Sequence, residues 1–329
     1  MSTRGEFELL ARIRERLAPA GPRLKVGMGD DAAVTVPGGA TATSVDAIVE
    51  GVHFRRGRGS LAQIGRRAIA AALSDLAAMG AEPGEAYVVL GVPPDLDEDG
   101  CVELLDGVAA LAAETGVTLA GGDVTRAPVL VVAMTVVGHA PNVERLVTRA
   151  GARAGDAIVL TGDLGAAAAG LLTLERPGVA AAIPAETVAR LQRAQLEPRP
   201  RLEVGAALAR SGATAMIDLS DGLGADAGHI ADESRVGLRI QAAALPVAAG
   251  VDEVAAITGE DPLQLAISGG EDYELVAALP PERLDEARAA VGAAGTTLVQ
   301  IGSAVPGSGI EIRLPGGRLL ETGGFDQLS

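Results

Sequence analysis

The sequence predicts an α+β protein of two domains, and three observations support this prediction. The chain has 329 residues, about twice the length of an ordinary single domain. Short β-branched runs and amphipathic helical segments alternate in both halves, in a mixed order that favours α+β layers over one long parallel sheet. Between residues 140 and 155 the composition turns to Pro, Gly and Arg. We place the domain boundary there, giving domains 1–140 and 141–329.

The clearest element of the first half is a helix at 61–79. Ser60 and Gln63 form a capping box at its start, and Gly80 stands at its end. Apolar spacing and Gly or Pro punctuation predict the other elements of this half. These are helices at 6–18 and 97–115 and strands at 40–45, 86–90, 117–120 and 128–138.

The second half has regular alternation of strands and helices, each bounded by Gly, Pro or polar residues. Strands are predicted at 156–161, 213–217, 236–240, 273–278 and 297–303, and helices at 163–175, 186–195, 201–211, 222–234 and 282–294.

The charge balance excludes several classes of function. The net charge is −16, from 27 basic and 43 acidic residues. Nucleic acid and anionic membrane surfaces both require a basic patch, so neither is an expected partner. A nucleotide substrate stays possible where metal ions neutralise its charge locally.

Two residue types occur once each, and this excludes further chemistry. Lys25 is the only lysine, and its setting fits neither a Schiff-base lysine nor a phosphate-binding P-loop. Cys101 is the only cysteine, which excludes an intrachain disulfide and a multi-cysteine zinc site. No basic leader and no long apolar run is present, so a cytoplasmic location is expected.

Acidic residues recur where predicted strands meet Gly-rich turns. Glycines there let backbone N–H groups approach an anion, and carboxylate oxygens are the ligands that Mg²⁺ prefers. Any one such aspartate is more often a turn or cap residue, so the repeated placement carries the magnesium prediction. The segments are Gly29-Asp30-Asp31, Val45-Asp46, Gly121-Gly122-Asp123, Asp218-Leu219-Ser220-Asp221 and Gly269-Gly270-Glu271-Asp272.

Asp75 is the strongest single candidate. On the predicted helix it falls at the margin of the apolar stripe, where an ionised carboxylate needs a partner. A metal ion is one such partner, and an ion pair with Arg66 or Arg67 or a water-facing rim position are the alternatives. His53 lies in a turn-like segment, and it is either a functional residue or an ordinary surface histidine. Arg149 lies in the inter-domain stretch, and it either binds phosphate or is a solvated linker arginine.

Six motifs in order resemble those of the thiamine-monophosphate kinases, over essentially the whole chain. They are Gly-Asp-Asp-Ala-Ala (29–33), Val-Asp-x3-Glu-Gly-Val-His-Phe (45–54), Leu-Ser-Asp-Leu-Ala-Ala-Met-Gly-Ala-x-Pro (73–83), Gly-Gly-Asp-x-Thr-Arg (121–126), Ile-Asp-Leu-Ser-Asp-Gly-Leu (217–223) and Ser-Gly-Gly-Glu-Asp-Tyr-Glu-Leu (268–275). Each motif is weak alone, and the ordered set is specific.

The resemblance implies a two-domain fold of the aminoimidazole ribonucleotide synthetase type. It implies a homodimer whose N-terminal mixed sheets pair, and an α/β C-terminal domain that completes the nucleotide and substrate site. The implied reaction transfers the γ-phosphoryl group of ATP to thiamine monophosphate. No general base is expected, because a phosphate monoester is already an anionic nucleophile at neutral pH. Direct transfer without a phosphoenzyme is the expected mechanism.

The resemblance also assigns roles to matching positions. Several Mg²⁺ ions would be held by acidic residues and their neighbours, ATP by a second set, and thiamine monophosphate by a third. The metal set is Asp31, Ser44, Val45, Asp46, Asp75, Asp123, Asp218 and Asp221; the ATP set is Gly122, Asp123, Arg149 and Ser220; the substrate set is His53, Glu271 and Phe325. Val45 stands where relatives often carry Thr, and it can offer a metal ion only its backbone carbonyl. Asp30 either orients the turn or contacts a metal ion.

Other enzymes and binding proteins of the same superfamily are the alternatives. Selenium activation normally uses a reactive cysteine near the N-terminus, and Cys101 falls in a predicted helix. A purine-precursor enzyme would need a different acceptor pocket from the one that the motifs around His53 and Glu271 indicate. A non-catalytic hydrogenase-maturation factor would carry a cysteine in its C-terminal tail, which this chain lacks. A plain acidic scaffold protein would not explain the ordered motifs.

Overall fold

The chain forms two compact units. The computed structural model describes residues 9, 12, 13, 15, 21–27, 32–314, 316 and 318–320. Unit 1 comprises Met1–Leu76 and Ala81–Val143, and unit 2 comprises Ala77–Gly80 and Glu144–Ser329. No helix in the described ranges is long and apolar enough to cross a membrane.

Unit 1 contains a four-stranded mixed sheet and a short two-stranded one. The large sheet has the order β3-β6-β4-β5, in which β4 and β5 are parallel and the other neighbours are antiparallel. The strands β1 and β2 pair antiparallel with each other. The bounds are β1 Leu24–Val26, β2 Val34–Thr35, β3 Ala40–Val49, β4 Glu82–Val92, β5 Thr118–Arg126 and β6 Val131–Ala140.

Two long helices belong to this part of the chain, α1 (Leu61–Ala78) and α2 (Glu98–Thr115). The predicted capping box of α1 is present, because the Ser60 N–H donates to Gln63 Oε1 at 2.9 Å and the Gln63 N–H to Ser60 Oγ at 3.1 Å. The helices approach closely at Gly65, where an added Cβ would lie 2.0 Å from the Leu104 carbonyl oxygen. Glycine inside a helix is unfavourable, and here the close approach explains it.

The two faces of the large sheet differ. Alternate residues of the strands, such as Ile48, Met134 and Leu90, are buried on one face. The residues between them point to the other face, which we call the open face. Val45 and Val89 lie on the open face and are 67% and 41% exposed.

Unit 2 is built on a seven-stranded sheet of order β13-β12-β9-β11-β7-β10-β8. Only β12 and β9 are parallel, and every other neighbouring pair is antiparallel. The bounds are β7 Ala157–Thr161, β8 Ala215–Asp218, β9 Gly237–Gln241, β10 Leu275–Leu279, β11 Leu298–Val305, β12 Ile310–Arg313 and β13 Leu319–Leu320.

Eight helices belong to this unit in the described part of the chain. The main core forms where the sheet packs against the helix after β8, through residues such as Ile158, Leu223 and Ile230. The bounds are α3 Ala166–Glu175, α4 Pro177–Ala181, α5 Ala185–Leu196, α6 Leu202–Arg210, α7 Leu223–Ser234, α8 Val251–Thr258, α9 Pro262–Ser268 and α10 Leu284–Ala293.

The mixed sheets with their helices confirm the α+β prediction, and three local expectations are wrong. Asp46 and Asp123 lie inside β3 and β5 rather than after a strand end, because both strands continue through their polar residues by pairing with neighbours. The segment Gly269–Asp272 follows a helix rather than a strand, because residues 265–267 belong to α9, whose N-cap Asp261 accepts from the Leu263 N–H at 2.9 Å. A short apolar run does not distinguish a strand from a buried helix turn.

Candidate active site

A hydroxyl and two carboxylates lie together at the outer edge of the large sheet of unit 1. On the edge strand β3, Ser44 and Asp46 share the helix-covered face with the buried Ile48, since their spacing is two residues. The Ser44 hydroxyl donates a short hydrogen bond to Asp75 Oδ2 on α1. This edge therefore offers oxygen ligands from two elements that are distant in sequence.

One of the alternative partners of Asp75 is engaged with another acidic residue. Arg66, one of the two candidates for an ion pair, instead donates to both Glu114 oxygens, at 2.8 and 2.7 Å. Asp75 is partly buried, and its contact with Ser44 is with a neutral group. A hydroxyl does not balance the carboxylate charge, so the position can still bind a cation.

Val45 and Asp123 lie on the open face of the same sheet. Asp123 pairs in register with Val89, which is exposed on that face, and Ala47 stands in the same row on β3. The strands β3 and β5 are opposite edges of the sheet, three strand spacings or about 14 Å apart. Asp123 therefore lies at the opposite edge and on the opposite face of the sheet from the Ser44–Asp75 pair.

Gly122 has a structural reason to be glycine. An added Cβ would lie 2.0 Å from the Val88 carbonyl oxygen of the neighbouring strand β4. The close approach of the two strands explains this glycine, whether or not a nucleotide also contacts it.

The ring of His53 is oriented by its own turn. Its Nδ1 accepts a hydrogen bond from the Val49 N–H at 3.0 Å, and its backbone N–H donates to the Val49 carbonyl at 2.9 Å. In the neutral ring the proton therefore lies on Nε2, which can donate to a phosphate oxygen. Beside it, Glu50 Oε1 accepts from Arg56 Nε at 2.7 Å, which ties the two sides of the turn together.

In unit 2, the loop after β8 is organised by a residue that the sequence analysis did not select. Asp226 Oδ2 accepts from the backbone N–H groups of Ser220, Asp221 and Gly222, each at 3.0 Å. Burial raises the pKa of Asp226 to about 7. The sequence feature that could have indicated this role is an acid in the first turn of α7, four residues after Gly222.

The loop after α9 joins the β8 loop through backbone hydrogen bonds. The Glu271 N–H donates to the Ser220 carbonyl at 2.8 Å, and the Tyr273 N–H to the Leu219 carbonyl at 2.9 Å. Both donors have positive φ, 59° for Glu271 and 49° for Tyr273. Non-glycine residues in this region are strained, and such strain is concentrated at functional sites.

The three acids of this second loop have different surroundings. Asp272 caps α3 by accepting from the Gly165 N–H at 3.0 Å, and burial raises its pKa to about 7. Glu274 is buried, pairs with Arg201 and accepts from Thr161 Oγ1 at 2.6 Å. Burial raises the Glu274 pKa, and Arg201 opposes that rise. Asp272 and Glu274 therefore hold the fold, whereas Glu271 accepts a hydrogen bond from Gln195 Nε2 at 2.7 Å.

The remaining predicted residues of unit 2 are Asp218, Asp221 and Arg149. Asp218 ends β8 and is buried, and Asp221 is half-buried in the loop that follows. Burial raises the pKa of Asp221, and the exposed His229 opposes that rise. Arg149 is exposed, and its carbonyl accepts from Ser234 Oγ at 3.1 Å, which anchors the backbone at this position.

Three predicted positions, Asp30, Asp31 and Phe325, lie outside the described residues. Among the residues that are described, no three His, Cys, Asp or Glu side chains stand close enough to hold one metal ion.

The comparison with known proteins identifies the family. Family models of the AIR synthase related protein match residues 29–140 with the N-terminal domain and 153–315 with the C-terminal domain. Thiamine-monophosphate kinase of Mycobacterium tuberculosis (strain H37Rv) is 39% identical over 278 residues, 83% of this chain and 80% of that protein. The Escherichia coli (strain K12) enzyme is 39% identical over 301 residues, 91% of this chain and 90% of that protein.

The chain belongs to the thiamine-monophosphate kinase family.

Solved structures of this family agree with the assignment. Thiamine-monophosphate kinase from Stenotrophomonas maltophilia K279a superposes with a TM-score of 0.83 at 33% identity, covering 93% of this chain and 96% of that one. AaThiL complexed with AMPPCP and TMP gives 0.77 at 29% identity, covering 99% and 98%. Hydrogenase maturation protein HypE in complex with ATP, at 24% identity and a TM-score of 0.74, shares the fold.

Proposed function

We propose that the protein transfers the γ-phosphoryl group of ATP to thiamine monophosphate, producing thiamine diphosphate and ADP. Family membership carries this proposal, since relatives named thiamine-monophosphate kinase match most of the chain at up to 39% identity. A family structure was solved with AMPPCP, an ATP analogue, and TMP. The motif positions around Ser44, Asp75 and His53 supply suitable chemistry.

The donor set at the edge of the unit 1 sheet fits Mg²⁺. This ion takes oxygen ligands only, keeps several waters, and usually binds one or two protein carboxylates together with substrate phosphates. Asp46 and Asp75 with the Ser44 hydroxyl match that requirement. When bound, Mg²⁺ would neutralise the phosphate charge that a chain of net charge −16 would otherwise repel. Asp31, Asp123, Asp218 and Asp221, with the Val45 carbonyl, complete the proposed metal set.

The remaining residues bind and orient the two substrates. We assign Gly122, Arg149 and Ser220 to ATP, with Arg149 offering an exposed guanidinium to phosphate oxygens. His53 would donate its Nε2–H to the acceptor phosphate, because Nδ1 is already accepting from Val49. Glu271 and Phe325 would contact the rest of thiamine monophosphate. The acceptor phosphate attacks as an anion, so no side chain has to remove a proton.

Both domains take part in this proposal, and a second copy of the chain completes it. Unit 1 supplies the Ser44, Asp46 and Asp75 edge, and the domain from residue 141 onward supplies Arg149 and the two joined loops. Val45 and Val89 expose apolar surface on the open face, which supports the pairing of this face with its counterpart in a homodimer. The need for ATP supports a cytoplasmic location.

A direct assay tests the function. Purified protein is incubated with ATP and Mg²⁺ and with either thiamine monophosphate or thiamine, and the products are separated by chromatography. Thiamine diphosphate should form from the monophosphate and not from thiamine. Turnover of thiamine alone, or of neither compound, would refute the proposal, and isolation of a labelled phospho-protein on the reaction path would refute direct transfer.

A further inference from the structure

Gln195 is a buried amide on α5 that none of the assigned roles uses. Gln195 is only 3% exposed. The helix that carries it is fixed against α3, because an added Cβ at Gly170 would lie 2.1 Å from the Leu191 carbonyl oxygen. A group on this helix therefore has a well-defined position relative to the rest of unit 2.

Among the described residues, the side-chain amide of Gln195 has a hydrogen-bond partner for its nitrogen but not for its oxygen. Its Nε2 donates to Glu271 Oε2 at 2.7 Å. The amide orientation follows from chemistry, since an ionised carboxylate can only accept and so requires the NH₂ group. Gln195 Oε1 is then buried and has no donor in the described part of the chain. Buried acceptors are nearly always satisfied, so this oxygen calls for a partner.

The backbone at Glu271 is held as firmly as its side chain. Its φ is 59°, and its N–H donates to the Ser220 carbonyl at 2.8 Å. The preceding Gly270 has a φ of 64°, and an added Cβ there would lie 2.6 Å from the Ser220 carbonyl oxygen. A strained, tightly packed turn thus presents Glu271, and Gln195 sets the orientation of its carboxylate.

We propose that Gln195 is a positioning residue for the acceptor substrate: Nε2 holds the Glu271 carboxylate, and Oε1 accepts an N–H of the bound ligand. The inference rests on the proposed function and goes beyond it by naming the group that is recognised, an exocyclic amine on a heteroaromatic ring. Thiamine monophosphate carries such an amine on its pyrimidine ring. The cationic thiazolium of the same molecule is attracted to the Glu271 carboxylate.

The test compares three variants with the unchanged protein. Gln195→Leu removes both hydrogen bonds at similar volume, Gln195→Glu replaces the donor with a second carboxylate, and Gln192→Leu is a matched control on the same helix. Each is assayed with thiamine monophosphate and with the analogue that has an oxo group in place of the pyrimidine amine. KM and kcat are measured for the acceptor and for ATP, and thermal unfolding confirms folding.

Both Gln195 variants should lower kcat/KM for thiamine monophosphate by about 10- to 100-fold, chiefly through KM, with KM for ATP unchanged. The preference for the amine over the oxo analogue should disappear in them and persist in Gln192→Leu. An equal loss with both acceptors, a rise in KM for ATP alone, or no effect in a folded variant would overturn the inference. Failure of the unchanged protein to phosphorylate thiamine monophosphate would instead overturn the proposed function, and this inference with it.

Discussion

The Asp75 carboxylate lies half-buried on α1 with the neutral Ser44 hydroxyl as its hydrogen-bond donor. A charge in this setting is stabilised by a cation more than by a hydroxyl. The same carboxylate at a fully exposed position would need no partner. The contact therefore supports a cation-binding role for Asp75.

Asp75→Asn should lower kcat by about 100-fold or more while the fold survives. The asparagine oxygen still accepts from Ser44, so the melting temperature should change by only about 3 °C. Steady-state kinetics and thermal unfolding measure the two effects. Asp99→Asn, at a carboxylate whose side chain is 84% exposed, is the control and should retain activity. Near-full activity of Asp75→Asn would remove Asp75 from the metal set.

Asp272 makes stability depend on pH. Burial raises its pKa to about 7 from 3.8, so the folded state holds a proton that the unfolded state has released between these values. The stabilisation that the protonated Asp272 contributes is therefore fully present below about pH 4. It is lost as the pH rises from there through 7.

Asp272→Asn should flatten that dependence, because the amide still accepts from the Gly165 N–H and does not ionise. Denaturant unfolding at pH 4.5 and pH 7.5 measures the effect. The decrease in stability between these pH values should be smaller in the variant, by on the order of 3 kcal/mol. Equal decreases in both proteins would show that Asp272 is not the titrating group.

At the scale of elements, close backbone approaches explain two glycines that lie inside a strand and a helix. Gly122 lies inside β5 and faces the Val88 carbonyl of β4, and Gly65 on α1 faces the Leu104 carbonyl of α2. The Gly-Gly-Asp motif at 121–123 is typical of a phosphate-binding turn by its letters, yet it forms part of a paired strand.

Gly122→Ala should therefore destabilise unit 1 whether or not a nucleotide is present. A Cβ at 2.0 Å from a carbonyl oxygen forces β4 and β5 apart, and we expect a loss of about 2 kcal/mol or more. Gly121→Ala is the matched control, because its Cβ would meet only the Tyr87 ring, at 3.3 Å. Equal melting temperatures for the two variants without ATP would contradict the structural role.

At the scale of the whole molecule, the sheet separates two parts of the proposed metal set. Asp75 lies with Ser44 beside the edge strand β3, while Asp123 is on the opposite edge and the opposite face. Ligands of one Mg²⁺ ion lie about 2.1 Å from it, so one ion cannot take both groups from a single sheet. In a homodimer, Asp123 of the second copy would therefore be the one that shares a site with Asp75.

Mixing two inactive variants tests this arrangement. Asp75→Asn and Asp123→Asn chains, unfolded and refolded together, should recover about a quarter of full activity, because half of the dimers are mixed and each has one intact site. Asp75→Asn mixed with Asp46→Asn is the control and should recover none, since both changes fall at the same edge. No recovery in the first mixture, with dimers present by sedimentation, would place Asp123 and Asp75 in one protomer's site.

Local patterns in the sequence predicted the order and type of most elements, the capping box of α1 and the motif residues of the family. These depend on neighbours within a few residues, which a sequence shows directly. The family resemblance assigned Ser44 and Asp75 to the metal set and Glu271 to the substrate set. The Ser44–Asp75 contact itself was not predicted.

Only the tertiary structure decided which face of a sheet each residue occupies and which distant group it meets. The strands containing Asp46 and Asp123 continue because of pairing with neighbours, and their side chains then point to opposite faces. The contacts of Asp226 with the β8 loop and of Gln195 with Glu271 arise from helix placement, the latter across 76 residues. Strand register and packing of remote segments depend on the whole chain, so no local pattern could specify them.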